Sequence, residues 1–327
     1  MAKGGARRSL DEQLAELHAL RADPTTEAAR AALAKALDGG RAPLAAVAAN
    51  LVGEAELAGF APALGTAFMR FIEQPAKNDA GCTAKTSCAR ALYRLGERAT
   101  EVFLRGVGHV QLEPVWGGQQ DTAVDLRGTC ALGLVRAGYP DALVELAELL
   151  ADREPMARVA AAQAIAYSER ADIGVPLLRM KTRLGDDDPR VTAACFSALF
   201  SLSPELSLPY VAKFLEAEQQ EVQEAALIAL GESRLPSALP VLQSFIDRLT
   251  ATGARAVAFT AVGLLRSEAG WDYLLTTIRD GSRSAATEAL DTLATYRSDE
   301  RLRARASTAV ADSADPALRS HAERVLG

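Results

Sequence analysis

A nine-residue pattern of apolar and small residues recurs along the chain. Residues 191–199 read Val-Thr-Ala-Ala-Cys-Phe-Ser-Ala-Leu, and residues 222–230 read Val-Gln-Glu-Ala-Ala-Leu-Ile-Ala-Leu. In both segments the first, fifth, eighth and ninth residues are apolar or small, so they lie on one side of a helix with 3.6 residues per turn. The pattern predicts a helix that packs closely against a neighbouring helix through the small residue at its centre.

Nine such units can be counted, with first residues 28–40 positions apart. The fifth residue is always Ala, Cys or Gly, at Ala48, Cys88, Gly128, Ala161, Cys195, Ala226, Ala258, Ala286 and Ala322. Leucine-rich segments lie between several units, at 142–150, 175–184, 208–215, 239–249 and 271–278. Two helices in each period of roughly 30–40 residues predict an all-α solenoid of about nine antiparallel helix pairs.

Three of these segments resemble HEAT repeats of the short bacterial, bilin-lyase type. They are Leu208-Pro209-Tyr210-Val211 through the helix at 221–231, residues 189–199, and residues 157–161. The resemblance extends over about 140–290 and implies a right-handed, HEAT-like superhelix. It also implies that the helices carrying the nine-residue unit, here called signature helices, line the concave side.

The expected organisation is one solenoid spanning residues 1–327. Residues 9–40 are predicted to form capping helices, because Ser9 and Glu12 form a capping-box pattern before an apolar stripe. Residues 297–327 are predicted to form a C-terminal capping pair. Residues 106–121 interrupt the array with four glycines, a proline and a tryptophan, which predicts an inserted loop.

Composition narrows the class of protein. Hydrophobic residues make up 49% and aromatic residues 5%, so the predicted core is built from Ala, Leu and Val. The formal net charge of −6 gives no general attraction to nucleic acid, and nucleic-acid binding is disfavoured. No apolar run approaches the roughly 20 residues of a membrane span, and the four cysteines lack CxxC spacing. A cytoplasmic protein is expected.

The inserted loop supplies most candidate binding residues, because loops on rigid scaffolds commonly carry binding groups. These candidates are His109, Gln111, Glu113, Trp116, Gln119, Gln120 and Asp121. Two interpretations remain open. The segment either recognises a partner with Trp116 as anchor, or folds back as a lid in which Trp116 and Leu112 cover a gap between helix pairs.

Catalytic and metal-binding patterns are largely missing. His109 and Glu113 would form a ligand pair only in a helix, and no metal or cofactor is predicted. Cys88 and Cys195 occupy the small central position of the unit, which favours packing. Cys82 and Cys130 lie elsewhere in the pattern and are candidates for reactive thiols.

The sequence therefore favours a non-enzymatic interaction or scaffold protein that binds a protein or peptide through the loop and the concave face. The concave-face candidates are Arg90, Arg127, Gln163 and Glu224. The alternative is a HEAT-like enzyme, such as a DNA glycosylase or a chromophore lyase. A glycosylase would need a basic cleft, for which Arg90, Arg127 and Arg158 are the candidates.

Overall fold

The computed structural model describes residues 9–74, 76–249, 252–313 and 315–327. Contacts divide the chain into two compact units, Met1–Arg170 and Ala171–Gly327. The first unit contains α1 (Leu10–Ala19), α2 (Glu27–Asp38), α3 (Ala42–Glu54), α4 (Ala61–Glu73), α5 (Thr83–Arg94), α6 (Thr100–Val107), α7 (Val124–Arg136), α8 (Ala142–Leu149) and α9 (Pro155–Tyr167). It also contains two strands, β1 (Leu112–Val115) and β2 (Gly118–Asp121).

The described part of the second unit contains helices and no strand. It contains α10 (Ala171–Leu184), α11 (Pro189–Leu202), α12 (Pro204–Val211), α13 (Gln220–Glu232), α14 (Ala238–Arg248), α15 (Thr252–Leu264), α16 (Glu268–Asp280), α17 (Arg283–Ala294), α18 (Glu300–Asp312) and α19 (Pro316–Leu326). Short 3₁₀ helices lie between several helices of the first unit and, in the described part of the second unit, at Ala212–Glu216.

The nine odd-numbered helices from α3 to α19 each carry one copy of the sequence unit. Every small residue at the fifth position is buried. Successive signature helices are in contact within each unit of the fold, from α3 through α9 and again from α11 through α19, while the even-numbered helices pack against them. The all-α solenoid predicted from the periodicity is confirmed.

A second small position sets the helix spacing, one residue beyond the nine-residue unit. Glycine occupies it in four signature helices, at Gly53, Gly133, Gly231 and Gly263. A Cβ added at Gly231 would lie 2.4 Å from the backbone oxygen of Ala261 in α15, and one at Gly53 would lie 3.1 Å from the Cα of Ala91 in α5. Backbones therefore approach closely at the C-terminal end of the apolar stripe.

The first helix begins as its sequence predicts. The amide of Glu12 donates to Oγ of Ser9 at 3.1 Å, and the amide of Ser9 donates to Oε2 of Glu12 at 2.8 Å. This reciprocal capping box satisfies two amides that have no partner inside the helix.

The segment 106–121 differs from the expected loop. Helix α6 continues through Gly106, where an added Cβ would lie 2.3 Å from Sγ of Cys130, so this glycine serves helix packing. Most of the remainder forms the hairpin of β1 and β2. Each strand has only four residues, which is too short for an alternating pattern to stand out among glycines.

The structure argues against Cys82 and Cys130 as candidates for reactive thiols. Both side chains are fully buried, Cys130 because α6 covers its side of α7. Burial raises the pKa of the Cys82 thiol to about 11 and also raises the pKa of Cys130. A thiol that stays protonated and inaccessible is a poor nucleophile.

Candidate interaction site

A β-hairpin projects between α6 and α7. Strand β1 pairs antiparallel with β2, with Leu112 opposite Asp121 and Val115 opposite Gly118. Trp116 and Gly117 form the two-residue turn. Gly117 has a φ of +92°. Residues that carry a Cβ rarely adopt this conformation, so the position requires glycine.

The hairpin exposes apolar side chains to solvent. Trp116 at the tip is 105% exposed, and Val110, Leu112 and Val115 expose about half of their surfaces. Trp116 and Leu112 therefore do not cover a gap between helix pairs, and the lid interpretation fails for both. Exposed large apolar residues grouped in this way mark interaction surfaces more often than isolated ones do.

Glu113 attaches β1 to the body of the unit. Its Oε1 accepts hydrogen bonds from the amide of Gly81 at 2.7 Å, from Nε2 of Gln111 at 2.6 Å and from Oγ1 of Thr122 at 2.8 Å. These bonds, led by those from Gln111 and Thr122, hold the pKa of the Glu113 carboxyl below its usual value. The ionised carboxylate thus joins the hairpin to the turn before α5.

Asp121 fixes the end of β2. Its Oδ1 accepts from the amides of Gln111 and Ala123, at 3.1 and 2.9 Å, and its Oδ2 lies 2.7 Å from Nη1 of Arg127. Burial raises the pKa of Asp121, but these hydrogen bonds outweigh it and leave the pKa below its usual value. Arg127 also donates from Nη2 to Oδ1 of Asp152 at 3.1 Å.

A buried ion pair lies under the hairpin base. Nζ of Lys85 is 3.0 Å from Oδ2 of Asp79, and each side chain is only 1% exposed. Oδ1 of Asp79 also accepts from the amide of Ala84 at 2.8 Å, at the start of α5. The backbone oxygen of Asp79 accepts from Nε2 of Gln111 at 2.8 Å, which ties this turn to the hairpin.

The predicted loop candidates separate into two groups. Trp116, Gln119 and Gln120 are exposed and can meet a partner. Gln111 is 4% exposed and uses its side chain internally, which corrects its prediction as a residue that binds a partner. Glu113 and Asp121 are likewise engaged within the fold.

His109 is half-buried just beyond the end of α6. Burial, followed by the nearby charge of Lys85, lowers its pKa. Its backbone oxygen accepts from Nη1 of Arg127 at 2.8 Å. Because Glu113 lies in β1, the two residues do not share a helical face and form no ligand pair.

The four concave-face candidates have different surroundings. Arg90 and Gln163 are exposed, and Glu224 is half-buried and accepts from Nε2 of Gln220 at 2.7 Å. Arg127 is 1% exposed and paired with two carboxylates, so its assignment to a partner-binding face is corrected. Asp121 is six positions before Arg127, at the end of the hairpin, whereas Asp152 is 25 positions beyond it, where no helical pattern links the two residues.

Sequence reasoning missed the residues that hold the hairpin, namely Asp79, Lys85, Thr122 and Asp152. One feature of the sequence did indicate this region. The two 40-residue intervals of the array lie on either side of α5, and the structure brings their irregular segments together, since Gly81 from the first bonds Glu113 from the second.

Two negative findings concern the described residues alone. Among them, no group of three or more His, Cys, Asp or Glu side chains is arranged to hold a metal ion. No described helix combines the length and apolar character needed to cross a membrane.

Comparison with known proteins places one segment in a family. Residues 178–263, which extend from α10 into α15, match the family model of HEAT repeats. The chain contains HEAT repeats. Within this HEAT segment the helix pairs of α11 to α14 follow the sequence unit without interruption. Comparison with the curated proteins gives no significant match.

Three solved structures are similar at low identity. The complex of CpcE and CpcF of phycocyanin lyase from Nostoc sp. PCC7120 has a TM-score of 0.40 and 18% identity, covering 75% of this chain and 94% of that chain. Human deoxyhypusine hydroxylase in complex with glycerol has a TM-score of 0.31 and 18% identity, covering 80% and 92%. An engineered protein has a TM-score of 0.39 and 15% identity, covering 98% and 96%. The family assignment rests on residues 178–263, and these likenesses add no functional assignment.

Proposed function

We propose that this HEAT-repeat protein is a non-enzymatic interaction protein that binds a protein partner through the tip of its β-hairpin. The observation that carries the proposal is the full exposure of Trp116 on a hairpin whose base is fixed. Tryptophan is the side chain most enriched among residues that dominate binding energy, because it buries a large rigid surface.

The fixed base supports binding by reducing its entropic cost. Glu113 and Asp121 each accept three hydrogen bonds from neighbouring residues, so both strands are attached to the helical body. A recognition element that is ordered before binding loses less conformational freedom on association.

Two of the three arginines that a glycosylase would need in a basic cleft are engaged within the fold. Of these, Arg127 is paired with Asp121 and Asp152. Arg158 is 6% exposed and donates from Nη1 to the backbone oxygens of Asp152 and Arg153, at 2.8 and 3.0 Å. Side chains held in this way are not available for contacts with DNA phosphates, which supports the interaction protein over the glycosylase.

The experiment is an affinity purification from a lysate of the source cells with three forms of the chain. These are the wild type, Trp116→Ala and Leu184→Ala, the last being a matched control because Leu184 is an apolar side chain that is 77% exposed elsewhere in the chain. We expect mass spectrometry to find a protein that is retained by the wild type and Leu184→Ala and lost with Trp116→Ala. If every retained protein is kept by all three forms, the proposed function is wrong.

A further inference from the structure

The two edges of the hairpin differ in their capacity to pair with another strand. Opposite residues of an antiparallel pair alternate between hydrogen-bonded and non-hydrogen-bonded pairs. The amide of Thr122 donates to the backbone oxygen of Gln111 at 2.9 Å, which identifies that pair as bonded. Counting along the register, Pro114 and Gln119 form a non-hydrogen-bonded pair, so their backbone polar groups point away from the hairpin.

Strand β1 is protected on its outer edge. Pro114 has no N–H group to offer to an added strand. Next to it, Glu113 is attached to the turn before α5 through the amide of Gly81. Proline on an edge strand is a common means of preventing strand addition.

Strand β2 has no such protection. Gly118, Gln119 and Gln120 are exposed and uncharged. Within the described residues, no hydrogen bond outside the hairpin involves the backbone N–H or C=O of Gln119. An exposed strand edge with free backbone groups and no charge or proline is a template for another strand.

We infer that the outer edge of β2 accepts an extended segment of the partner protein, which adds a third strand to the hairpin. This inference rests on the proposed function and specifies its binding mode. Backbone hydrogen bonds at Gln119 hold the segment, uncharged side chains face Gln119 and Gln120, and an apolar side chain packs on Trp116.

A second copy of this chain fits the edge less well. Pairing two four-residue strands covers far less than the roughly 1,200 Å² buried in stable complexes. A longer extended segment can pair with β2 and continue over Trp116, whereas a second β2 ends at its own turn. The test must therefore distinguish self-association of the chain from binding of a partner segment.

The test uses a phage-displayed library of random peptides of about twelve residues, selected on the full-length wild-type chain. Affinities of the selected peptides are measured for the wild type, Gln119→Pro, Gln119→Ala and Trp116→Ala. Gln119→Pro removes the outward N–H at a position whose cross-strand neighbour is already proline, and Gln119→Ala keeps it. We expect Gln119→Pro to weaken binding by about tenfold or more and Gln119→Ala by no more than about twofold.

A second measurement does not depend on the proline variant. Hydrogen exchange of the wild type should show that peptide binding protects the amide of Gln119. The inference is overturned if the amide stays unprotected, if peptides bind Gln119→Pro as well as the wild type, or if no peptide is enriched.

The outcomes also separate this inference from the proposed function. If Trp116→Ala abolishes peptide binding and Gln119→Pro does not, the hairpin tip is the binding site and the outer edge of β2 is excluded. If neither substitution weakens binding, both proposals fail. A concentration-dependent dimer in sedimentation velocity that disappears in Gln119→Pro assigns the edge to a second copy and overturns the partner segment.

Discussion

Lys85 and Asp79 form an ion pair whose charged atoms are 3.0 Å apart and whose side chains are each 1% exposed. The carboxylate also accepts from the amides of Ala84 and Lys85, at 2.8 and 3.1 Å, so it caps α5 as well as neutralising the lysine. The pair lies directly beneath the hairpin base, because Gln111 donates to the backbone oxygen of Asp79. A hydrogen bond therefore joins the base of the exposed hairpin to the turn that carries this buried ion pair.

Asp79→Asn should destabilise the protein by about 3–5 kcal/mol, because it leaves the Lys85 ammonium buried without a counter-charge. Lys85→Met should cost less, since the Asp79 carboxylate keeps its amide donors at the helix start. Urea unfolding of both variants and of the double variant provides the measurement. We expect the double variant to be more stable than the sum of the single effects predicts. If the two substitutions change the free energy of unfolding additively, Asp79 and Lys85 are not energetically coupled.

Trp116→Ala should leave stability within about 0.5 kcal/mol of the wild type, because the side chain makes little contact with the rest of the fold. Thermal unfolding followed by circular dichroism checks this expectation. A loss of 2 kcal/mol or more, on the order expected for a packed side chain, would show that the residue is structural.

Gly231→Ala should destabilise the protein by about 1–3 kcal/mol or more, because the new Cβ would lie 2.4 Å from the backbone oxygen of Ala261. Gly253 is the matched control, since an added Cβ there meets nothing within 4 Å. Gly253→Ala should be neutral or stabilising by up to about 1 kcal/mol. Equal effects in urea unfolding would exclude close backbone packing at Gly231.

The Glu113 carboxyl should titrate below its ordinary pKa of 4.5. Because the folded pKa is lowered, the carboxylate stabilises the hairpin base above pH 4.5, and this contribution is lost as the pH falls through the folded pKa. The NMR shift of the Gly81 amide, which donates to Glu113, reports the titration. The midpoint of this titration should lie below pH 4.5, and the titration should be absent in Glu113→Gln. A midpoint at or above 4.5 would refute the role of these hydrogen bonds.

The four thiols should react slowly in the folded protein at pH 8. All four are buried, and burial raises the pKa of Cys88 and Cys195 to about 12. For Cys82, with a pKa of about 11, roughly one molecule in a thousand carries the thiolate at that pH. Reaction with an aromatic disulfide reagent should be complete only after denaturation. A thiol that reacts within seconds in the folded chain would contradict its burial.

The helical array follows from local patterns in the sequence. The buried positions repeat within each helix, and helix periodicity depends only on residues a few positions apart, so Ala161, Cys195 and Ala226 could be assigned to packing without coordinates. The match of residues 178–263 to HEAT repeats agrees with this assignment. The capping box of Ser9 and Glu12 is equally local.

Which candidate residues reach the solvent depends on contacts between segments that are far apart in the chain. Gln111 and Arg127 are polar and sit in or beside an irregular segment, yet both are buried. Asp79 meets Gln111, and Asp152 meets Arg127, from other parts of the chain. Gln111 and Asp79 are 32 positions apart, far beyond the range of a helical pattern. Contacts of that separation depend on how the two interruptions of the array pack against each other, and this packing leaves Trp116 exposed at the hairpin tip.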